Sequence, residues 1–268
     1  FIRICAITTI PHKYVMQATH PPPPQWPPGT TVVQIATYNE ADSIGSLIEA
    51  IQAAVTNAHI LVIDDNSPDG TAQIVATKAD KNERVHLLLR TDRRGLGTAT
   101  LEGIQWAQKR AAEVVVHLDG DFSHNPADIP RLIAALKLSD DVPIDIAIGS
   151  RKIPGGAVIG WPLKRHIISW LVCWFTRVVL RVPVRDGSSG FRALRIRCVD
   201  AIELENLTSG YAFFEDFLWR AHQSGARMAE IPITFTNRKL GASKASGIEM
   251  LRGARDLMRL AMQTWLRF

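Results

Sequence analysis

The sequence predicts an α/β fold, a mostly parallel central sheet with helices on both faces, and three observations carry that prediction. Apolar runs of strand length alternate with segments whose apolar residues recur every three or four positions, which is the β-α-β-α order of a parallel sheet. The runs are continuously apolar rather than alternating, as strands covered on both faces are. Polar clusters stand where the runs end, and ligands of such sheets gather at the carboxyl ends of strands.

The first strand is expected at "VVQIAT" (32 to 37), running into "TYNE". Ile44, Leu47, Ile48 and Ile51 then share one face of a helix. "HILVID" (59 to 64) is the second strand and leads into "DDNSPDG"; "VHLLLR" (85 to 90) is the third. "VVVHLD" (114 to 119) is the fourth, ending in "DGD", and "IDIAIGS" (144 to 150) the fifth, ending in "GSR". Asp and Asn also cap helices and make turns, so one polar tip means little; four at one end of a sheet mean more. Residues 1 to 30 stand apart, because "HPPPPQWPPG" has six prolines in ten residues and favours an extended, unpacked chain. The expected organisation is a flexible tail over 1 to 30, a folded domain over 31 to 246, and a basic amphipathic helix over 247 to 268.

Composition narrows the class. The chain has 268 residues, 46% of them hydrophobic, enough for a substantial core. Cys5, Cys173 and Cys198 form no CxxC spacing, which argues against a disulfide framework or zinc site and for a reducing, cytoplasmic setting. The apolar run "IISWLVCWFT" (167 to 176) is half the length a membrane-crossing helix needs. Net charge is +5 overall, but residues 31 to 149 hold 10 basic and 17 acidic side chains, whereas 150 to 185 hold seven basic and no acidic ones. An acidic half suited to a cation is followed by a basic segment suited to an anion. Nucleic acid is not the expected partner, since the basic residues flank tryptophans and no recognition motif is present.

Asp119 and Asp121 end a buried strand with only Gly120 between them. Two carboxylates brought to one point repel unless a cation lies between them. Mg²⁺ or Mn²⁺ would supply that charge and would also bridge to substrate phosphates. The alternative is that Asp119 closes the strand and Asp121 caps the next turn. "DDNSPDGT" (64 to 71) offers acceptor oxygens for a nucleotide, although it would also make an ordinary turn. "RRGLGTA" (93 to 99) lacks the third glycine of a dinucleotide loop and follows the third strand, so a Rossmann dehydrogenase is set aside.

Taken together, these stretches are similar to a known family. "TYNEADSI", "ILVIDDNSPDGTA", "RGLGTA", "DGDFSHNP", "GSR", "GG", "DGSSGFRA", "GYAFFED" and "NRKLGASK" occur in order over residues 37 to 244. In this they resemble the dolichyl-phosphate or polyprenyl-phosphate mannosyltransferases, family 2 glycosyltransferases of the GT-A fold. No QxxRW motif is present, which speaks against a processive polysaccharide synthase. The resemblance implies that Tyr38, Asn39, Glu40, Asp64, Asp65, Gly120 and Lys244 border the nucleotide-sugar donor. It implies that Asp119 and Asp121, with Ser123 nearby, hold Mg²⁺ or Mn²⁺ on the donor diphosphate. Arg151, Arg165 and Ser169 would bind the acceptor phosphate, and Arg238 would stabilise the leaving diphosphate. Asp216, or Glu215 beside it, would orient the acceptor. Ala36, Gly120, Phe214 and Asp216 depart from the usual family residues, the last two at positions bearing on sugar or acceptor preference.

The implied reaction is inverting transfer of mannose from GDP-mannose to dolichyl or polyprenyl phosphate. A UDP-glucose-dependent enzyme and a catalytically silent nucleotide-sugar binding subunit are the alternatives. A phosphate acceptor is already largely ionised at neutral pH and needs no strong base, consistent with eight scattered histidines and no Ser/His/Asp set. Because the acceptor is a lipid, residues 163 to 182 and 248 to 268, which mix tryptophans and aliphatics with arginines, are expected as helices lying in an anionic membrane interface. That would place the protein peripherally on the cytoplasmic face, with a membrane-anchoring subunit as another route to the same place.

Overall fold

The computed structural model describes residues 24 to 92, 95 to 137, 143 to 210, 212 to 237 and 247 to 266. The five expected strands form where the apolar runs are, as β1 (Thr31–Thr37), β2 (His59–Asp64), β3 (Val85–Leu89), β4 (Val114–Asp119) and β5 (Ile146–Ser150). Between and after them come α1 (Ala41–Ala54), α2 (Thr71–Lys81), α3 (Leu96–Gln108) and the short α4 (Ile129–Ala135). The second half contributes β6 (Ala157–Ile159), α5 (Leu163–Trp174), β7 (Arg192–Arg195), α6 (Phe213–Gln223), β8 (Met228–Pro232), β9 (Thr234–Thr236) and α7 (Gly247–Leu266).

The main sheet has the order β3-β2-β1-β4-β7-β5-β8, parallel except for β7, which runs against both β4 and β5. Strand order reverses at β1, with β2 on one side and β4 on the other, and a crevice opens where connections leave in opposite directions. Ala36 is opposite Asp119 in that register, so the residues that follow β1 lie beside the DGD loop.

Both faces are covered, which explains the continuous apolar runs. Ile44, Leu47, Ile48 and Ile51 of α1 pack with Val33 and Ile35 against one face. On the other face Val32, Leu61, Ile63 and Val115 meet α3 and the Phe213, Phe217 and Leu218 side of α6. A separate two-stranded ribbon pairs β6 with β9. Its strands are too short to show any periodicity, and the sequence reading missed it along with β7 and β8.

Two further expectations meet the structure at the edges. The boundary of the tail moves inward. The Trp26 N–H donates to the Arg110 carbonyl at 2.8 Å, and its indole stacks on His59 at 3.9 Å, so part of the proline-rich segment belongs to the domain. The two basic amphipathic stretches are helical over 163 to 179 and 247 to 266. α7 buries Leu260, Ala261 and Thr264 but exposes Leu251, Met258, Met262 and Trp265. α5 buries only Ser169 and Cys173, and Leu163, Ile167, Trp170, Leu171 and Trp174 form one exposed apolar stripe. The Arg181 guanidinium lies 4.4 Å over the Trp265 ring and joins the two surfaces. No helix among the described residues is long and apolar enough to cross a membrane.

Candidate active site

At the ends of β1 and β2 the chain is held in place by its own side chains. Asp64 is fully buried. One oxygen accepts from the Ser67 N–H at 2.8 Å, and the other from the Ser67 hydroxyl at 2.6 Å and Thr37 Oγ1 at 3.0 Å. Ser67 Oγ in turn accepts the Asn39 N–H at 2.9 Å, and Asn39 takes up a left-handed backbone conformation (φ 56°) that asparagine tolerates. Asp69 accepts the Ala41 N–H at the start of α1 and both donors of Thr71. Burial opposes its ionisation, but these bonds hold its carboxyl below the ordinary range. The donor-binding role expected of Asp64 is therefore corrected: its oxygens are committed inside the protein, and it shapes the loop that presents half-buried Tyr38 and Glu40 and exposed Asn39.

Asp65 is tied to the start of α3, with one oxygen accepting the Gly95 N–H at 2.8 Å and the other 3.2 Å from buried Arg90. Burial raises its carboxyl above the usual value, against the pull of Gly95 and Arg90. Arg90 itself donates to Thr98 Oγ1 at 2.6 Å.

The DGD loop is built differently. The Asp119 side chain is 37% exposed. Gly120 is buried, and its carbonyl accepts Ser43 Oγ at 2.8 Å, which makes it part of the backbone scaffold. Phe122 adopts a left-handed conformation (φ 58°), which folds the loop so that the Ser123 N–H donates to Asp121 Oδ1 at 3.0 Å. Ser123 is buried and holds the carboxylate through its backbone. Buried His124 packs on Phe191 at 5.0 Å, and its Nδ1 accepts the Asp119 N–H at 3.4 Å. Burial pushes its pKa down in spite of the neighbouring Asp119.

These donors fit a hard divalent cation. Two carboxylates one residue apart offer oxygen ligands only, and among the described residues no group of three or more His, Cys, Asp or Glu is placed to hold a metal by itself, at this loop or elsewhere. Mg²⁺ and Mn²⁺ are commonly held in this way, by one or two carboxylates with water and substrate phosphate completing the shell.

Arg151 follows β5 and forms a two-pronged pair with buried Asp186, with Nε at 2.7 Å from one oxygen and Nη2 at 2.7 Å from the other. The Arg151 N–H adds a third bond to the carboxylate at 2.8 Å. Burial opposes the charge on each partner, yet the pairing keeps the Asp186 carboxyl low and the Arg151 guanidinium high. Arg165, in the first turn of α5, is exposed and donates to Asn237 Oδ1 at 3.0 Å. Both guanidinium groups lie over the same two rings, Trp161 at 5.1 and 4.2 Å and Phe235 at 5.6 and 5.7 Å. Ser169 is buried, and its hydroxyl has no hydrogen-bond partner among the described residues. Arg238 and Lys244 lie outside the described residues.

The two carboxylates of α6 differ in their surroundings. Asp216 is fully buried, accepts the Thr208 N–H at 2.8 Å and pairs with Arg220 one turn later at 2.7 Å. The expectation that Asp216 acts in catalysis is corrected, because both of its oxygens hold the segment before α6 onto the helix. Glu215, by contrast, is buried with Oε2 unpartnered among the described residues. Burial pushes its pKa up to about 7, while its own backbone N–H and the Arg192 guanidinium pull the other way. Arg192, held by the carbonyls of Gly187, Ser189 and Phe214, is brought down to about 10 by burial.

Comparison with known proteins adds the lineage. The model of "glycosyl transferase family 2" matches residues 32 to 201, covering every strand tip described above. The chain belongs to glycosyl transferase family 2. It is 40% identical over 214 residues to the undecaprenyl-phosphate mannosyltransferase of Micrococcus luteus, covering 80% of this chain and 86% of that one. It is 39% identical over 241 residues to the polyprenol monophosphomannose synthase of Mycolicibacterium smegmatis, covering 89% of each chain. Glucosyl-3-phosphoglycerate synthase from Mycobacterium tuberculosis, solved with Mn²⁺, UDP and glucosyl-3-phosphoglycerate, superposes with a TM-score of 0.62. That match is 17% identical and covers 88% of this chain and 80% of that chain. The fold of this family member is accordingly the GT-A fold.

Within that fold several residues escaped the sequence reading. Asp186 sits in "DGSSGFRA", but nothing in the string says that its carboxylate meets an arginine 35 positions away. Ser67 and Asn237 sit in "DDNSPDGT" and "NRKLGASK" but, like Arg90, Trp161 and Phe235, which lie in no motif, they become functional candidates only through tertiary contact. Asp216 and Arg220 stood at helical i, i+4 spacing, a legible sign of a pair.

Proposed function

We propose that this chain transfers mannose from GDP-mannose to a polyprenyl or dolichyl phosphate at a membrane surface, giving the lipid-phosphate mannose with inverted anomeric configuration and GDP. The observation that carries this reading is the opposition of charge at one end of the sheet. The carboxylates of Asp119 and Asp121 lie at the end of β4, and the Arg151 and Arg165 guanidinium groups share an aromatic floor, with Arg151 near enough to feel the Asp119 charge. The named relatives, both polyprenol-phosphate mannosyltransferases, support mannose and a polyprenyl phosphate as the pair of substrates.

In this reading Tyr38, Asn39 and Glu40 border the nucleotide, and Asp65 fixes the neighbouring loop. Asp119 and Asp121 hold Mg²⁺ or Mn²⁺, which when bound supplies positive charge to the diphosphate that leaves. Arg151 and Arg165 bind and orient the acceptor phosphate. Its second pKa is near 6, so a phosphate oxygen attacks the anomeric carbon without a protein base. Arg238 assists departure of the diphosphate and Lys244 contacts the donor. The apolar stripe of α5 starts beside Arg165, and Leu163, Ile167 and Trp170 would lie against the polyprenyl chain or the bilayer. The exposed stripe of α7 adds a second contact, and each basic side chain close to an anionic leaflet contributes about 1 kcal/mol. The protein would work peripherally, on the cytoplasmic face, alone or beside an anchoring subunit.

The test is a transfer assay with radiolabelled GDP-mannose or UDP-glucose, a polyprenyl phosphate, and Mg²⁺ or Mn²⁺. Mannose appearing in the lipid fraction, dependent on the metal, is the expected result. Glucose transfer in its place, or nucleotide-sugar binding with no transfer, would overturn the assignment.

A further inference from the structure

The two acceptor-side arginines are placed by Trp161 and Phe235, which lie in none of the family motifs, and by Asn237, the first residue of "NRKLGASK". Arg151 and Arg165 carry like charges, and an isolated pair would separate. Here each lies over the faces of Trp161 and Phe235, with Arg165 closest to Trp161 at 4.2 Å. A guanidinium over an aromatic face is attracted by the ring quadrupole, most strongly to tryptophan. Arg151 is additionally neutralised by Asp186. Arg165 donates to the neutral amide oxygen of Asn237 at 3.0 Å.

Trp161 and Asn237 flank the two-stranded ribbon. Trp161 follows β6 and immediately precedes α5, while Asn237 follows β9 and is pinned by donating its N–H to the Ile159 carbonyl at 2.9 Å and its Nδ2 to the Gly160 carbonyl at 3.1 Å. The ribbon is also tied to the DGD loop, because the Thr236 N–H donates to the Ser123 carbonyl at 3.0 Å. Thus one small piece of backbone connects the loop bearing Asp119 and Asp121 to the groups that orient Arg165. Trp161 Nε1 is buried with no hydrogen-bond partner among the described residues, so what the indole gives this site is its face.

We propose that Trp161 and Asn237 are positioning residues of the acceptor-phosphate site: the indole face and the amide oxygen hold the Arg165 guanidinium, next to Arg151, in the orientation that receives the phosphate of the lipid. The inference rests on the acceptor-phosphate reading of these arginines given above. It predicts that neither residue contributes to donor binding.

Steady-state kinetics with GDP-mannose, Mn²⁺ and farnesyl phosphate as the acceptor probe test it, on full-length variants whose melting temperatures are recorded. Trp161→Leu should raise the acceptor KM about tenfold, the size of a partly shielded cation–π contact, and leave the donor KM within twofold. Trp161→Phe, which keeps a ring and discards the N–H, should recover most of that loss. Asn237→Ala should raise the acceptor KM about threefold, and this effect should vanish in an Arg165→Ala background, where a merely structural role would persist. An unchanged acceptor KM in folded Trp161→Leu, equal damage from Leu and Phe, or an Asn237→Ala effect that persists without Arg165 would each overturn the proposal. Should Trp161→Leu not fold, the Phe variant and the Asn237 pair of measurements decide. If the wild-type protein transfers no mannose to farnesyl phosphate, the acceptor reading itself fails and takes this inference with it; if it does and the variants match it, only the inference fails.

Discussion

Two doubled carboxylates end neighbouring parts of one sheet, and the protein treats them in opposite ways. Asp64 and Asp65, after β2, are met by the protein's own donors: Ser67, Thr37, the Gly95 N–H and Arg90. At the end of β4, Asp121 accepts the Ser123 N–H, and the Asp119 side chain is 37% exposed beside His124, whose pKa burial pushes down, and within the field of Arg151. The first pair is built into the framework, and the second is the pair to which the proposed function assigns the cation. The difference teaches that the role of a carboxylate at a strand tip is set by how many donors surround it, since the strings "DD" and "DGD" by themselves permit either role.

The largest expected effect breaks the second pair. Asp121→Ala should lower metal-dependent transfer on the order of 10³-fold, as removal of a principal charge-stabilising element does, while the melting temperature of the metal-free protein changes little. Metal-stimulated activity retained at wild-type level would erase the contrast. Asp64→Ala attacks the other pair and should do the reverse. Losing a buried acceptor of three bonds costs about 3 kcal/mol of stability, visible as a lower urea midpoint, with an unchanged midpoint contradicting the framework role.

The Glu215 and Asp216 pair in α6 sharpens the same comparison. Glu215 has a folded-state pKa of about 7, above that of an exposed glutamate, so the native state holds a proton that the unfolded chain has lost. Its contribution to stability is present below the unfolded value and is lost as pH rises through about 7. Glu215→Gln should therefore be more stable than wild type at pH 8, by about 3 kcal/mol, and indistinguishable near pH 4. Thermal denaturation across pH checks this, and a gap that widens toward acid would reverse the sign. The smallest effect is Gly120→Ala. A methyl there would meet Thr37 Cγ2 at 3.0 Å, and Thr37 is not free to turn because Asp64 holds its hydroxyl. About 1 kcal/mol of destabilisation is expected, with the metal affinity preserved.

Much of this was legible in the sequence. Strands buried on both faces announce themselves as apolar runs, and β2 and β4 coincide with the expected segments. The polar tips and their convergence followed from topology alone. What was not legible depends on partners distant in the chain. Asp216 looked like a site carboxylate because the donors that commit it, Thr208 N–H and Arg220, are revealed only by folding. The proline-rich segment read as tail because the ring that anchors Trp26 belongs to His59. Ribbon strands of three residues carry no period to detect, and with them went Asn237 and the aromatic floor under the arginines.

The central claim is that a divalent ion held by Asp119 and Asp121 offsets the charge of the departing diphosphate. Electron paramagnetic resonance titration of Mn²⁺, in the presence of GDP, tests it most directly on wild type and Asp121→Ala. The account predicts stoichiometric Mn²⁺ uptake by the wild-type complex and its loss in the variant. Equal uptake by both proteins, or none by either, would contradict it.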